Sequence, residues 1–299
     1  MIQRILTALV LIPLVLLLIL RAPGWALTAV AAVVALLAIR EFLELVRHYA
    51  VEPFSLSTYF FTAIFFALLG FLAAKPGHSY FDFTPEIMAV SAGLFAALAP
   101  FVFLSVGLRS ADLRSAYPAA AASVFAFAYV AIPMGLSVSL RLEPYGEFHL
   151  IYLMLVVWSG DIFAYFVGKS MGQHKMSPTI SPKKTWEGAL ASFFASITLG
   201  TLFCRESLTI GSWLIKIHWL QPGPFHWTFA EAPLWEVIFL SAALNVAAQL
   251  GDLVESAIKR GADVKDSGAI LPGHGGMLDR IDAMLFAVPV LWIARAVFA

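Results

Sequence analysis

Residues 256–282 read SAIKRGADVKDSGAILPGHGGMLDRID, and an apolar segment as long as a membrane helix stands on each side, at 233–254 and 280–298. Eight residues of this stretch are Lys, Arg or Asp, in a chain of which only 13% is charged. Interleaved cations and carboxylates are what a site for phosphate groups and a metal ion requires. The stretch therefore predicts a charged segment with a chemical role between two membrane helices.

The composition predicts an integral membrane protein of the all-α class. Of 299 residues, 61% are hydrophobic, and the mean hydropathy is +0.86. A soluble protein has about 25% charged residues, so this chain has too few charges to cover a water-facing surface. The net charge is zero, which argues neither for nor against nucleic acid. For a membrane protein of this kind we expect no nucleic acid partner. The single cysteine, Cys204, excludes a disulfide within one chain and is interpreted as a small buried apolar residue.

Nine segments are apolar enough to be membrane helices, which need about 20 such residues each. They are residues 5–20, 25–39, 56–74, 86–108, 119–140, 149–169, 186–204, 233–254 and 280–298. The second is short, but its apolar face extends through Phe42, Leu45 and Val46. We interpret the first as a span rather than a cleaved signal peptide, because the residues after it make a poor cleavage site and more spans follow.

We divide the chain into residues 1–140, which hold the first five spans, and residues 141–299, a candidate catalytic region that contains 256–282. Most Lys and Arg residues of the loops fall on the side of the N-terminus, which predicts a cytosolic N-terminus in a cell membrane. Nine spans then leave the C-terminus outside. The longest predicted loop, 205–232, is rich in tryptophan and suits a membrane interface.

A polar stripe runs along the eighth predicted span. Its residues are spaced 4, 3, 4 and 3 positions apart, which places them on one helix face over about 21 Å: Asn245, Gln249, Asp252, Ser256 and Lys259. An Asp at the centre of a span costs about 2.5–3.5 kcal/mol on insertion scales, so the stripe must face protein, water or ligand. It is either a polar contact between helices or part of a functional site.

The ninth predicted span opens with two carboxylates, Asp279 and Asp282, which share one helix face because they are three residues apart. A helix N-terminus favours anions, so either residue could simply cap the helix. Together with Asp252, the two carboxylates suit a hard cation better. Mg²⁺ typically takes one or two carboxylates and completes its shell with phosphates and water.

Three further groups are candidates for the same site. His274, in the glycine-rich segment 272–276, is either structural or catalytic, and Asp161 of the sixth span is either an isolated polar contact or part of the cavity. Lys183 and Lys184, just before the seventh span, either touch anionic lipid or hold a phosphate. All these residues are predicted on one membrane face. That distribution favours phosphoryl or nucleotidyl transfer over a permeation path, whose polar residues would continue to the far side.

The stretch 256–282 resembles the signature of the phosphatidate cytidylyltransferases, the CDP-diacylglycerol synthases, over its whole length without a gap. The pattern is Ser-x-Ile-Lys-Arg, four residues, Lys-Asp-x-Gly, then Leu-Pro-x-His-Gly-Gly-Met-x-Asp-Arg-Ile-Asp. Segments 159–161 and 181–188 are similar to further segments of that family. The resemblance covers roughly the C-terminal half, whereas the first 150 residues resemble the family only as apolar spans.

The resemblance implies an all-helical membrane enzyme, reported to form homodimers, that uses Mg²⁺ to convert CTP and phosphatidate to CDP-diacylglycerol and pyrophosphate. Asp252 and Asp279 match the metal-binding acids of the family, and Asp282 is the neighbouring acid of the same site. The other assignments are our inference: Lys259, Arg260, Lys265 and Arg280 for CTP or pyrophosphate, Lys183 and Lys184 for phosphatidate or triphosphate, and Asp161, Ser256 and His274 for substrate binding. The alternatives are a CTP-dependent enzyme for another lipid phosphate or a lipid alcohol, for which His274 is the obvious base, and a transporter.

Overall fold

The structure is a computed structural model, and it describes residues 2–73, 85–220, 227, 229–270 and 275–298. Helices dominate this part of the chain. In order they are α1 (Ile2–Arg21), α2 (Gly24–Arg47), α3 (Ser55–Ala73), α4 (Pro85–Gly107), α5 (Leu113–Ala126), a π-helical turn (Phe127–Ala131), α6 (Ile132–Leu142), α7 (Gly146–Met171), α8 (Trp186–Lys216), α9 (Leu234–Gly261) and α10 (Leu278–Phe298). Between α7 and α8, strands β1 (Lys175–Ser177) and β2 (Ser181–Thr185) form an antiparallel hairpin.

Seven helices of the described ranges are long and apolar enough to cross a membrane. They are Gly24–Arg47, Ser55–Ala73, Glu86–Gly107, Leu113–Leu142, Gly146–Met171, Trp186–Lys216 and Leu234–Gly261. The predicted class, an all-α membrane protein, is confirmed at this level. The other two predicted spans correspond to α1 and α10, so the count of nine stays a prediction.

Several helices are longer than their apolar segments predict, and α2 and α8 exceed them most. The second helix continues to Arg47, and the apolar face through Phe42 and Leu45 is buried as expected. The prediction that the seventh span ends at residue 204 is wrong, because α8 continues to Lys216. Buried positions continue along one face at Ser207, Gly211 and Leu214, so tertiary contacts extend the helix beyond its most apolar part.

The hairpin β1–β2 was not predicted. It pairs Lys175 with Thr185 and Ser177 with Ser181. Its sequence has little β propensity, and a two-stranded hairpin is marginal by itself. Contacts with the start of α8 stabilise it: the Trp186 N–H donates to the His174 carbonyl at 2.9 Å. The hairpin is therefore stabilised by its contact with the start of α8.

Two compact units make up the fold. The first comprises Met1–Leu11, Pro23–Glu143 and Ile258–Ile281, and the second comprises Ile12–Ala22, Pro144–Ala257 and Asp282–Ala299. The core of the first unit is a set of phenylalanine rings with centroids about 5 Å apart: Phe61, Phe65, Phe95, Phe103 and Phe127. The core of the second is aromatic as well, with Tyr152, Phe203, Trp227 and Phe229 in mutual ring contact. Offset and edge-to-face ring pairs of this kind stabilise a core beyond their buried area.

Candidate active site

A buried ion pair in the first unit joins the last turn of α9 to the first turn of α10. Lys259 Nζ lies 2.5 Å from Oδ1 of Asp279, and the two side chains are only 11% and 6% exposed. The other oxygen of Asp279, Oδ2, accepts hydrogen bonds from the N–H groups of Ser267 at 3.0 Å and Gly276 at 2.8 Å. Both oxygens of the carboxylate are therefore engaged, one by a cation and one by the backbone of the loop.

These donors keep Asp279, which lies outside the seven apolar helices, in its ionised form. Burial acts to raise the pKa of the carboxyl group. The Lys259 ammonium and the N–H groups of Gly276 and Ser267 outweigh burial and hold the pKa below its ordinary value. The site thus contains a fixed negative charge paired with a fixed positive one.

The backbone on either side of the Lys259–Asp279 pair adopts conformations that allow the two side chains to meet. After Lys259 the chain turns through Asp263 in the left-handed region, with φ of 56°, and the Val264 N–H donates to the Lys259 carbonyl at 3.0 Å. This is the six-to-one bond of a Schellman helix end. Before α10, Gly275 has φ of +83°, and a Cβ there would lie 2.6 Å from Asp279 Oδ2. Glycine is needed at 275 for both reasons.

Glu41, on α2, completes the cluster and was missed by sequence reasoning. Its side chain is 2% exposed. Oε1 accepts from the Met277 N–H at 2.9 Å, and Oε2 accepts from the Leu278 N–H at 2.8 Å and from the Ser267 hydroxyl at 3.0 Å. The available signal was an acid on the apolar face that carries Phe42 and Leu45, where a charge has to be compensated.

A second ion pair lies in the second unit, between the hairpin and α9. Lys184 Nζ is 2.7 Å from Oδ2 of Asp252, with side chains 25% and 38% exposed. Ser256, one turn further along α9, donates its hydroxyl to Asp252 Oδ1 at 3.4 Å. Thr185 caps α8 by accepting the Gly188 N–H at 3.2 Å, which fixes the chain next to Lys184. The predicted residues Lys184, Asp252 and Ser256 thus meet in one cluster.

The membrane half of the polar stripe connects helices. Asn245 Nδ2 donates to the hydroxyls of Ser192 and Ser196 on α8, each at 2.8 Å. Gln249 Nε2 donates to the Ala189 carbonyl of α8 at 3.3 Å and to Asn245 Oδ1 at 2.5 Å. A Cβ at Gly160 would lie 2.7 Å from both Asn245 Nδ2 and Ser192 Oγ. The stripe was interpreted either as a polar contact between helices or as part of a functional site. For Asn245 and Gln249 the contact between helices is confirmed. The charged residues lie at its other end.

The remaining predicted site residues differ in how exposed they are. Asp282 is half-buried, its Oδ1 accepts from the Ala283 N–H at 2.8 Å, and a Cβ at Gly251 of α9 would lie 2.6 Å from its carbonyl oxygen. Asp161 is exposed on α7. Four basic residues are exposed as well: Lys183, Arg260, Lys265 and Arg280. The predicted contact residue His274 lies outside the described residues.

Comparison with known proteins assigns the chain to a family. A sequence model of the group described as "Cytidylyltransferase family" matches residues 2–298, which is nearly the whole chain. The chain belongs to the cytidylyltransferase family. The resemblance of residues 256–282 to that group is thereby confirmed.

Members of this family with curated names are similar to parts of the chain. The phosphatidate cytidylyltransferase of Bacillus subtilis (strain 168) is 42% identical over 159 residues, 53% of this chain and 51% of the relative. That of Brucella melitensis biotype 1 is 38% identical over 157 residues, 52% and 50% of the two chains. That of Staphylococcus aureus (strain COL) is 38% identical over 191 residues, 64% of each. The chain thus spans about half the length of the first two relatives.

Magnesium suits the acids of this family member by donor chemistry. Carboxylate oxygens are preferred Mg²⁺ ligands, and one or two carboxylates with substrate phosphates are enough. Each of Asp252 and Asp279 accepts a lysine ammonium within 2.7 Å, so an ion at either carboxylate would have to share it with that ammonium or displace it. In the part of the chain that the structure describes, no group of three or more His, Cys, Asp or Glu side chains is close enough to hold a metal. A site completed by substrate phosphates needs no such group.

Proposed function

We propose that this protein is a membrane nucleotidyltransferase that transfers CMP from CTP to phosphatidate, giving CDP-diacylglycerol and pyrophosphate in phospholipid biosynthesis. The observation that carries the proposal is the match of residues 2–298 to the cytidylyltransferase family, together with relatives named phosphatidate cytidylyltransferase. The two clusters of paired cations and carboxylates support it, because they suit phosphate chemistry.

The proposed reaction forms one P–O bond and breaks another. An oxygen of the phosphatidate phosphate attacks the α-phosphorus of CTP, and the bond from the α-phosphorus to the β-phosphate oxygen breaks, releasing pyrophosphate. The attacking oxygen needs no strong base, because a phosphate monoester has its second pKa near 6. The difficulty is repulsion between two polyanions. The protein must therefore hold both substrates in line and neutralise their charge.

The basic residues supply that charge. We assign Lys259, Arg260, Lys265 and Arg280 to CTP and the departing pyrophosphate. Lys183 and Lys184 serve the phosphatidate head group or the triphosphate, and Ser256, Asp161 and His274 contact substrate. The exposure of Lys183, Lys265 and Arg280 supports an encounter with a soluble nucleotide, and Arg260 is exposed too while it donates to the Val264 carbonyl at 3.0 Å.

We further assign Mg²⁺ to Asp252, Asp279 and Asp282 as the required cofactor. When bound, the ion supplies positive charge to the triphosphate oxygens and the leaving pyrophosphate. The role of the protein's own residues is to present ionised carboxylates. Asp279 is suited to this role because its N–H donors and Lys259 favour the anion.

The proposal includes an orientation and an assembly. The apolar lengths support nine spans, and the positive residues support a cytosolic N-terminus and a site on the cytosolic side of the cell membrane. The family resemblance supports a homodimer. A thiol reagent tests the orientation: Lys265→Cys in a Cys204→Ser background should react with a membrane-impermeant maleimide only in inside-out vesicles. Labelling of right-side-out vesicles would overturn it.

Labelled nucleotides test the reaction. Purified protein and Mg²⁺ are incubated with phosphatidate and, in parallel, with diacylglycerol or another lipid phosphate, each with CTP labelled either in the cytidine or in the γ-phosphate. We expect the cytidine label in the lipid fraction and the γ-label in pyrophosphate. Transfer of the γ-label to diacylglycerol instead would identify a lipid kinase, and cytidine transfer only to another lipid phosphate would identify a different acceptor. Lack of cytidine transfer to phosphatidate would refute the proposal.

A further inference from the structure

The carboxylate of Glu41 is part of the framework of the candidate site although it lies on the second helix. It is buried and accepts three hydrogen bonds, from the backbone of Met277 and Leu278 and from the hydroxyl of Ser267. Burying a carboxylate without hydrogen-bond donors costs folding free energy, so these three donors are needed to stabilise Glu41 where it lies. Met277 and Leu278 stand at the start of α10, where N–H groups have no partner within the helix.

Glu41 and Asp279 bind the same two pieces of chain. Ser267 gives its N–H to Asp279 and its hydroxyl to Glu41. The helix start gives Gly276 N–H to Asp279 and the next two N–H groups to Glu41. The two carboxylates therefore clamp the loop after α9 onto the start of α10, and Asp279 is held in one orientation toward Lys259.

The glycines of the loop leave room for this carboxylate. A Cβ at Gly268 would lie 2.5 Å from Glu41 Oε1, and a Cβ at Gly276 would collide with Glu41 Oε2 and Ser267 Oγ. Three hydrogen bonds prevent the carboxylate from moving aside. The turn after α2 makes a second contact with this part of the chain, because the Tyr49 hydroxyl donates to the Ile258 carbonyl at 2.7 Å, one residue before Lys259.

We infer that Glu41 is a positioning residue of the nucleotidyl-transfer site: through Ser267 and the start of α10 it fixes the carboxylate of Asp279 and the ammonium of Lys259. The inference rests on the proposed function for its catalytic consequence. It assigns a role to a residue of the N-terminal 140 residues, which the sequence analysis assigned to membrane helices alone. Glu41 touches no reacting atom, so its effect must pass through Asp279.

The test compares Glu41→Gln with Glu44→Gln, a control on the same helix whose side chain is 47% exposed and pairs with Arg40. A glutamine has the same shape as the glutamate, but its amide NH₂ replaces one acceptor oxygen. That NH₂ group is a donor and cannot accept the hydrogen bonds of the backbone N–H groups that face it. We expect kcat per folded molecule to fall by about tenfold or more, because small displacements of positioned groups have effects of that size. KM for phosphatidate should stay within about twofold, and Glu44→Gln should match wild type in both.

Hydrogen–deuterium exchange provides a readout that is independent of activity. The amides of residues 276–278 should exchange at least about tenfold faster in Glu41→Gln and unchanged in Glu44→Gln. If Glu41→Gln does not fold, Ser267→Ala decides, since it removes only the hydroxyl contact and should show the same changes to a smaller extent.

Wild-type kcat with unchanged exchange in the folded variant would overturn the inference. Faster exchange with normal kcat would also overturn the inference, because Glu41 would then stabilise the fold without affecting the reaction. If wild type itself transfers no cytidine to phosphatidate, the proposed function fails, and the exchange data still decide whether Glu41 holds the start of α10.

Discussion

The ammonium of Lys259 lies 2.5 Å from Oδ1 of Asp279, so the end of one helix and the start of the next are joined by a buried ion pair. The intervening loop is tied to the same carboxylate through Ser267 and Gly276. One acidic side chain thus organises a segment in which eight charged residues lie close together in the sequence.

Lys259→Met should destabilise the fold as well as inactivate it. Removing one partner of a buried pair leaves an uncompensated charge, which costs about 3–5 kcal/mol. We expect the free energy of unfolding to fall by about that amount in detergent micelles, with loss of cytidine transfer. Lys216→Met, at the exposed end of α8, is the control and should change neither quantity. Unchanged stability of Lys259→Met would contradict the buried pair.

The stability should also depend on pH through Asp279. Its pKa in the fold is below the ordinary value of about 3.9 expected for the unfolded chain. The stabilisation is therefore fully present above about pH 4 and is lost as the pH falls through the lower pKa of the folded state. Melting temperatures between pH 7 and pH 3 should fall further for wild type than for Asp279→Asn. Parallel curves for the two proteins would exclude this titration.

The pair of Lys184 and Asp252 should matter for activity far more than for stability. Both side chains are partly exposed, and pairs of this kind contribute about 0–1 kcal/mol. Lys184→Ala and Asp252→Asn should each unfold within about 1 kcal/mol of wild type while transfer is largely lost. The surface pair of Arg40 and Glu44 is a matched comparison, because Arg40→Ala should have an equally small effect on stability and none on activity. Full activity in either site variant would remove that residue from the proposed mechanism.

Gly160→Ala should weaken the packing of the second unit. The added methyl group would lie 2.7 Å from the Asn245 amide and the Ser192 hydroxyl, which are hydrogen-bonded to each other. Overpacking of this kind costs about 1–3 kcal/mol. Gly93→Ala, in the interior of α4 with nothing within 4 Å of the new methyl group, should instead be neutral or stabilise by up to about 1 kcal/mol. Equal effects of the two substitutions would show that the close approach at Gly160 is unimportant.

The sequence predicted those features that depend on local composition and spacing. The apolar lengths predicted the membrane helices, and the spacing of Asp252 and Ser256 placed them on one face of α9, where they are hydrogen-bonded. The end of α8 was misplaced because residues 205–216 are less apolar, while their helical state depends on buried contacts. The hairpin was missed because its strands are short and polar and are stabilised by the neighbouring helix.

What the amino-acid sequence determined by itself is the class of protein, an all-helical membrane member of the cytidylyltransferase family, and the acids and bases available for its chemistry. Apolar length, helical periodicity and a continuous signature are local properties, so they can be read along the chain. Only the tertiary structure decided which of these charges meet: Lys259 with Asp279, Lys184 with Asp252, and Glu41 with a helix start 237 residues away. The reason is physical, because a buried carboxylate is stable only where the folded chain delivers donors to it, and those donors come from remote parts of the sequence.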